Sequence, residues 1–351
     1  MRAWNESEEV LRRAAERRAQ ADEERLAAVR EQGINLDPAA RHRHGELEHA
    51  SDHEHPHRHA GPGERPVTGI VGGGPVGLAL GVALARAGWP VEAVASRDAG
   101  RRARFRQHLP GVRAFAEATA LVDDVELVIL AVPDDVVAPL AASLHLYAGQ
   151  AIIHTSGLLG AEVLAPALAA GSQAGAFHPL VAFADLDRAL AALRGATIAI
   201  EGDDELLAHL ADMAEAIGGV PVRLAPGTKA AYHAAAVLAA GGVTALLDVI
   251  REIAAAVGLD EAGAMRIYRP LLDQTIANAS ALGIAAALTG PAIRGDAGTL
   301  VAHTAALAAH APAALTAYRA LLARDIDIAQ QRGALAPEVA QRLRAVLAGE
   351  S

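Results

Sequence analysis

The stretch that decides the fold is VTGIVGGGPVGLALGVALARAGWPVEAVASRD, residues 67–98. Gly72, Gly74 and Gly77 stand at G-x-G-x-x-G spacing between an apolar strand pattern and an alanine- and leucine-rich helical pattern, the setting of a dinucleotide-binding turn. The first glycine permits a tight turn, the second lets a pyrophosphate approach the backbone, and the third lets the helix pack closely on the strand. The stretch therefore predicts dinucleotide binding, with a purely structural glycine turn as the alternative.

The helix that follows this turn is expected to hold the phosphates at its N-terminus. Unpaired N–H groups and a partial positive charge favour an anion at that position. The residues predicted to contact the cofactor here are Gly72, Gly74, Pro75, Val76 and Gly77.

The second strand of the stretch ends in a basic segment. Ser96 and Arg97 follow the strand directly, and Arg101 and Arg102 come a turn later. An acidic residue at this place would bind the ribose hydroxyls of NAD, whereas an arginine accommodates the 2′-phosphate of NADP. A hydroxyl and a guanidinium suit a phosphate monoester. Ser96 and Arg97 thus predict NADP over NAD, the alternative being that Asp98 turns inward and the arginines are solvated helix charges.

The bulk composition excludes several classes of partner. The chain has 351 residues, 52% of them hydrophobic, and a formal net charge of −10. It lacks the basic balance that general binding to nucleic acid or anionic membranes requires. Without cysteine it has no disulfide, thiolate metal site or cysteine nucleophile. No run reaches about 18 uninterrupted apolar residues and the N-terminal segment is charged, so a cytoplasmic protein with a small-molecule partner is expected.

The N-terminal region differs from the rest in composition. Residues 1–65 are highly charged and predicted to form a disordered tail, because they cannot bury enough apolar surface to offset the entropy of ordering. Within this tail His53, His55, His57 and His59 are spaced densely enough for a weak zinc or nickel site. A low-complexity linker with incidental metal affinity is the alternative, and no metal site is predicted elsewhere.

The remaining sequence indicates two folded domains. Short apolar runs alternate with helical stretches over residues 66–226, the pattern of strand–helix–strand units in a parallel sheet. After Pro226 the strand patterns stop, and residues 227–351 are predicted to be all helical. The predicted strands span residues 67–71, 91–95, 125–132, 151–154, 173–177, 196–200 and 220–224.

Polar residues at later strand ends are predicted to line a ligand crevice. Ligands of open parallel sheets bind outside the carboxyl ends of the strands. Val132 and Pro133 follow the apolar run VELVILA and are expected to contact the cofactor. The segments IIHTSG and AFHPL bring His154 and His178 to neighbouring strand ends. Each histidine could be a structural residue, but their proximity favours a common pocket.

The first helix of the second domain adds two candidates. In GTKAAYHAAAV, Lys229 and His233 lie four residues apart and therefore on one face of the helix. An ammonium and an imidazole beside a nicotinamide can perform the acid–base chemistry that accompanies hydride transfer. The alternative is an exposed lysine and a helix-packing histidine.

The motifs HTSG, FHPL, KAAYHAAAV and ALTGPAIRGD, in this order, resemble those of a bacterial family of Rossmann-like proteins with a C-terminal domain of unknown function, grouped as NADP-dependent oxidoreductases. The resemblance covers roughly residues 66–345. It implies a Rossmann-type, mostly parallel sheet domain followed by a helical domain like that of 6-phosphogluconate dehydrogenase. It also implies a homodimer through the helical domain, and an active site between the two domains.

The resemblance also implies roles for individual residues. Lys229 matches the general acid/base lysine of the related hydroxyacid dehydrogenases, and His233 stands where they have an asparagine. Ser156 and Gly157 match the substrate-binding loop, and FHPL resembles the His-Pro motif of prephenate dehydrogenases, which makes His178 a catalytic candidate. Arg294 could bind a substrate carboxylate through two hydrogen bonds or could cap the next helix together with Asp296, and both interpretations stay open.

One departure concerns the first helix of the second domain, where relatives often have an asparagine and this chain has Ala240, Gly241 and Gly242. The expected activity is hydride transfer between NADP and a small oxo or hydroxy acid. The alternatives are a deazaflavin-linked NADP reductase and a non-catalytic NADP-binding sensor or scaffold, since fold does not imply activity.

Overall fold

The computed structural model describes residues 65–169, 171–225 and 227–350. The predicted tail, apart from Arg65, lies outside the described residues, and so do its four candidate metal-binding histidines.

An eight-stranded sheet forms the centre of the N-terminal half. Its strand order is β3-β2-β1-β4-β5-β6-β7-β8, and every neighbouring pair is parallel except β6 and β7. Its central strands are apolar runs such as LVIL because both faces of a parallel sheet are covered by helices. This confirms the Rossmann-type, mostly parallel architecture. The strands are β1 Thr68–Val71, β2 Val91–Ala95, β3 Arg113–Phe115, β4 Leu127–Leu130, β5 Ala151–His154, β6 Gln173–Pro179, β7 Thr197–Glu201 and β8 Val220–Arg223.

Helices connect these strands and form the whole of the C-terminal region. A 3₁₀ segment, Ala161–Ala167, follows β5, and a π-helical turn, Leu238–Gly242, joins α7 to α8. The α-helices are α1 Pro75–Arg86, α2 Ala99–His108, α3 Thr119–Val122, α4 Asp134–Ala141, α5 Leu186–Ala192, α6 Asp204–Ala216, α7 Lys229–Val237, α8 Val243–Ala255, α9 Glu261–Leu282, α10 Ile284–Ala287, α11 Pro291–Arg294, α12 Ala297–His310, α13 Ala314–Gln331 and α14 Pro337–Ala348.

One register row of the sheet places the functional candidates on a common face. Residues paired across neighbouring strands point to the same side of a sheet. The row runs through Phe115, Ala95, Val71, Leu130, His154, Ala176 and Glu201. Its apolar members pack under the helices of one face, whereas the next row, which includes Ile70 and Ile129, packs in the core of the other. The polar members of this row are His154 on β5 and Glu201 on β7.

The sequence patterns missed two features of the sheet. Strand β3 has only three residues, RAF, and none of the apolar enrichment by which a strand is recognised. Strand β7 was expected, but its antiparallel direction was not, since local composition does not encode direction. The other strands form within or close to the predicted ranges.

The C-terminal helices share a small core and leave a large apolar surface. Leu300, Ile326 and Leu343 are fully buried in this core. By length and composition, the continuous helix Lys229–Ala255 could cross a membrane, although it contains no long uninterrupted apolar run. Its apolar part is not buried in the structure. Large exposed apolar side chains of this region are Val237, Leu238, Val243, Val257, Met265, Ile267, Leu271, Ile276, Leu282 and Ile284.

Candidate active site

A cavity of about 900 Å³ opens at the carboxyl ends of β1, β2 and β4. Most of the residues predicted to contact the cofactor line it, and Thr155 at the end of β5 closes one side. The predicted residues in its lining are Gly72, Gly74, Pro75, Val76, Ser96, Arg97, Val132 and Pro133.

The glycine turn depends on close backbone approach. Gly72 has φ +115°, and a methyl group there would overlap the carbonyl oxygen of Ala131. A methyl group on Gly77 would overlap the carbonyl oxygen of Gly72. Gly77 does not line the cavity, so it acts in packing α1 on β1. No side chain caps α1 and no acidic residue lies in its first turn, which leaves the N-terminal N–H groups to an anion.

The basic segment after β2 is held in place by its own hydrogen bonds. Asp98 caps α2 by accepting a hydrogen bond from Arg101 N at 3.1 Å, and its other oxygen lies 3.6 Å from Arg101 Nε. This engagement disfavours the alternative in which Asp98 turns toward a ribose. Arg102 donates to the carbonyl oxygens of Ser96 and Arg97 at 2.5 and 3.1 Å. The backbone is thereby fixed so that the exposed Arg97 side chain borders the cavity.

His154 organises the loop that follows β5. It is fully buried, its Nδ1 accepts from Ser156 N at 3.2 Å, and its Nε2 lies 3.0 Å from the carbonyl oxygen of Gly160. These partners require the neutral ring with the proton on Nε2. Burial, and next the charge of Lys229, lowers the pKa of His154 to about 4. The Oγ of Ser156 accepts from the N–H groups of Leu158 and Leu159, so only its hydroxyl proton is left for a ligand.

A second histidine cluster lies beside this loop. The rings of His178 and His233 meet edge to face with centroids 5.5 Å apart, and Tyr232 packs against His178 at 5.9 Å. A methyl group on Gly157 would overlap Nδ1 of His233 and lie 2.7 Å from Nε2 of His178. The absence of a side chain at Gly157 therefore lets both imidazoles approach the loop. Burial, followed by the proximity of His233, lowers the pKa of His178 to about 4.

Lys229 is buried where α7 meets the sheet. Its Nζ lies 3.7 Å from Oε2 of Glu201, within ion-pair range but beyond a hydrogen bond, and its side chain is 9% exposed. Burial lowers the pKa of Lys229, and the Glu201 carboxylate is the main influence in the opposite direction. Lys229 is also the single lysine of the chain, in which all other fixed positive side chains are arginines.

Unpartnered polar atoms concentrate at this place. Of seven buried side-chain N or O atoms without a hydrogen-bond partner in the described part of the chain, five are here. Buried polar atoms are rarely left unpaired, and each such atom calls for an explanation. A polar ligand at this site would supply the missing partners. The five atoms are His178 Nδ1, Glu201 Oε2, Lys229 Nζ, Tyr232 Oη and His233 Nδ1.

Two further predicted features belong to the helical region. Arg294 is exposed at the end of α11, and Asp296 alone caps α12 by accepting from Thr299 N at 3.0 Å. The segment Ala240–Gly242 lies in the exposed π-helical turn. Within the described ranges neither segment is joined to Lys229 by a hydrogen bond or an ion pair.

Sequence reasoning missed Glu201 and Tyr232. Glu201 is an acidic residue at the end of the apolar run TIAIE, but its partner could not be read without the direction of β7. Lys229 was predicted from its helical spacing with His233, and its being the single lysine among 31 basic residues was a second signal in the sequence.

Two family models match the sequence, a Rossmann-like domain over residues 56–179 and a domain of unknown function, DUF2520, over residues 196–325. Together they span more than half of the chain. The chain belongs to the Rossmann-like proteins with a DUF2520 domain. This confirms the resemblance noted from the sequence motifs. A comparison with curated protein sequences finds no match.

Solved structures of similar fold come from several organisms. A protein of Bacteroides fragilis, provisionally described as an NADP oxidoreductase, is 21% identical, with 75% of this chain and 98% of that chain covered and a TM-score of 0.63. A 1-pyrroline-5-carboxylate reductase from Streptococcus pyogenes is 18% identical, with 76% and 99% covered and a TM-score of 0.54. A reductive aminase from Aspergillus terreus, in complex with NADPH and ethyl-5-oxohexanoate, is 18% identical, with 81% and 93% covered and a TM-score of 0.54. At such identities the likeness is one of fold.

Proposed function

We propose that this Rossmann-like DUF2520 protein is an NADP-dependent oxidoreductase that exchanges hydride with a small oxo or hydroxy acid. The observation that carries the proposal is the single lysine of the chain, buried with an unpartnered Nζ beside two histidines that also have unpartnered nitrogens. The cluster adjoins Gly157 of the loop after β5, and Thr155 of the same loop lines the dinucleotide-sized cavity. A structural lysine would have its donors satisfied by the protein.

The residues around the cavity fit a phosphorylated dinucleotide. Gly72 lets the backbone approach a pyrophosphate, the uncapped N-terminus of α1 offers N–H groups, and Ser96 with Arg97 faces the place of a 2′-phosphate. NADP would supply the hydride or accept it.

The protein groups would bind the substrate and move its proton. Lys229 Nζ donates a proton to the carbonyl oxygen during reduction and recovers one from the hydroxyl during oxidation. His178 and His233, as hydrogen-bonding groups on either side of Gly157, orient this oxygen. The hydroxyl of Ser156 donates to the substrate carboxylate. The exposed Arg294 has no part in this proposal.

The first test is titration of the purified chain with NADPH and NADH, followed by nicotinamide fluorescence. Tighter binding of NADPH is expected, and oxidation of NADPH by members of a panel of small oxo acids would then identify the substrate class. Absence of binding by either dinucleotide would refute the proposal.

The second test uses Lys229→Arg. Arginine keeps the positive charge opposite Glu201 but does not give up its proton in this pH range. We expect the variant to bind NADPH like the wild-type chain and to lose turnover by about 10²–10⁴-fold, the usual contribution of a general acid. The matched control is His303→Gln, which changes a histidine of α12 paired with Tyr318 and should leave turnover unchanged.

The same measurements separate the alternatives. A sensor or scaffold would bind NADPH but would not oxidise it with any of the substrates tested. It would also keep its function in Lys229→Arg. A deazaflavin-linked reductase oxidises NADPH with a deazaflavin acceptor and with none of the oxo acids.

We also propose that the chain forms a homodimer through the apolar surface of α7 to α10, and that it acts in the cytoplasm. Leu271 and Ile276 on α9 are 60% and 62% exposed and belong to the ten large apolar side chains that this region leaves exposed. Large exposed apolar patches are typical of protein–protein interaction sites. Leu271→Glu with Ile276→Glu should yield a monomer by light scattering. The control is Val220→Glu on β8, another exposed apolar position, which should not alter the assembly.

A further inference from the structure

Glu201 reaches the site by an unusual route. It is the last residue of β7, the strand that runs against its neighbour β6. Glu201 pairs with Ala176, and Ala176 pairs with His154, so these side chains share one face of the sheet. The carboxylate therefore enters the site from the floor of the sheet, whereas Lys229 approaches from α7 above it.

The two oxygens of Glu201 face different elements. Oε1 accepts a hydrogen bond from Ala161 N at 3.2 Å, at the start of the 3₁₀ segment after the HTSG loop. Oε2 lies 3.7 Å from Lys229 Nζ and has no hydrogen-bond partner. The Glu201 side chain is 29% exposed, so the pair is only partly open to solvent. One carboxylate thus contacts both the loop and the lysine.

We propose that Glu201 is a positioning residue of this site, which holds the Lys229 ammonium against the sheet and ties it to the loop at Ala161. The inference deepens the proposed function, since it assigns the group that keeps the acid protonated and in place. Substitution of Glu201 should change both the pKa of Lys229 and the protection of the Ala161 N–H. If the ion pair were merely structural, the substitution would change the stability of the fold alone.

Several charged groups face Lys229. Glu201 on β7 is the nearest, and the exposed Glu162 of the 3₁₀ segment and Asp134 of α4 also favour the ammonium. On the opposing side stand His154 and His178, whose protonation Lys229 disfavours. Burial acts against the charge of Lys229. Loss of the Glu201 charge therefore removes the largest of the influences that favour the charged form of Lys229.

The test exploits the single lysine. Protein labelled with ¹³C at lysine Cε gives one lysine signal, whose shift with pH reports the pKa of Lys229 without cofactor or substrate. In Glu201→Gln we expect this pKa to fall by about one pH unit or more, as removal of an adjacent opposite charge does. The matched control, Glu162→Gln, should lower it by less than half as much.

Glu201→Asp keeps the charge and withdraws it by one methylene, so an intermediate fall is expected, and this variant serves if the glutamine variant does not fold. Hydrogen exchange at Ala161 N should accelerate in Glu201→Asp, whose shorter side chain withdraws the acceptor oxygen, and not in Glu162→Gln. An unchanged Lys229 pKa in the Glu201 variants, or equal falls in both glutamine variants, would overturn the inference. Because the titration uses the free chain, its failure is distinct from a failure to bind or oxidise NADPH.

Discussion

The buried imidazole of His154 makes stability depend on pH in a way that can be calculated. The pKa of His154 falls from 6.5 to about 4 on folding. The unfolded chain therefore binds more protons between these values, and the contribution of His154 to stability is complete above pH 6.5 and is lost as the pH falls. With 1.36 kcal/mol per pH unit, this loss amounts to about 2 kcal/mol between pH 7 and 5, and to about 3 kcal/mol between pH 7 and 4.

The variant that isolates this effect is His154→Gln. Glutamine does not titrate, and its amide can still donate a hydrogen bond to the carbonyl oxygen of Gly160, although Ser156 N loses its acceptor. We expect the variant to be less stable at pH 7 and to lose less stability on acidification.

The assay is urea unfolding followed by circular dichroism at pH 7, 6 and 5. The free energy of unfolding of the wild-type chain should fall relative to that of the variant by about 2 kcal/mol over this range. His178→Gln provides a comparison, and its effect should be similar because the pKa of His178 also falls to about 4 in the folded chain. Parallel curves for wild type and His154→Gln would refute the assignment of a neutral, buried His154.

The remaining predictions concern the glycines and the basic segment. Gly72→Ala places a side chain at φ +115° and should lower the free energy of unfolding by about 1–3 kcal/mol, measured by thermal denaturation, whereas Gly74→Ala, which meets no atom within 4 Å, should change it little. Gly157→Ala displaces the imidazole of His233 and should reduce turnover at unchanged NADPH affinity; an equal loss of affinity contradicts the separation of site and cavity. Arg97→Ala should weaken NADPH binding about tenfold and leave NADH binding unchanged in the fluorescence titration.

The sequence predicted the sheet well because burial on both faces leaves a direct pattern. A strand such as LVIL has no polar position, and few other structures of this length are so uniformly apolar. Strand β3, with RAF, is paired along one edge only and carries an exposed arginine, so its formation depends on β2 rather than on its own residues. Tertiary pairing, which is invisible in a single sequence, decides this element.

The candidate site was predicted in part for a related reason. Helical periodicity put Lys229 and His233 on one face, but it did not show that the sheet buries that face. The rule that places ligands at the carboxyl ends of parallel strands directed attention to His154 and His178. This rule does not predict a role for Glu201, because β7 is antiparallel to β6 and Glu201, its last residue, pairs with Ala176 in the interior of β6.

The register row across the sheet also fixes the distance between the two halves of the site. Val71, which precedes the glycine turn, and His154, which anchors the HTSG loop, are separated by two strand steps through Leu130. At 4.7–4.9 Å per step, this spacing is about 10 Å and depends only on backbone hydrogen bonds. Insertions in the connecting helices would leave it unchanged. One extra residue inside β5 would instead turn His154 to the opposite face, so the length of β5 decides on which side of the sheet the HTSG loop is anchored.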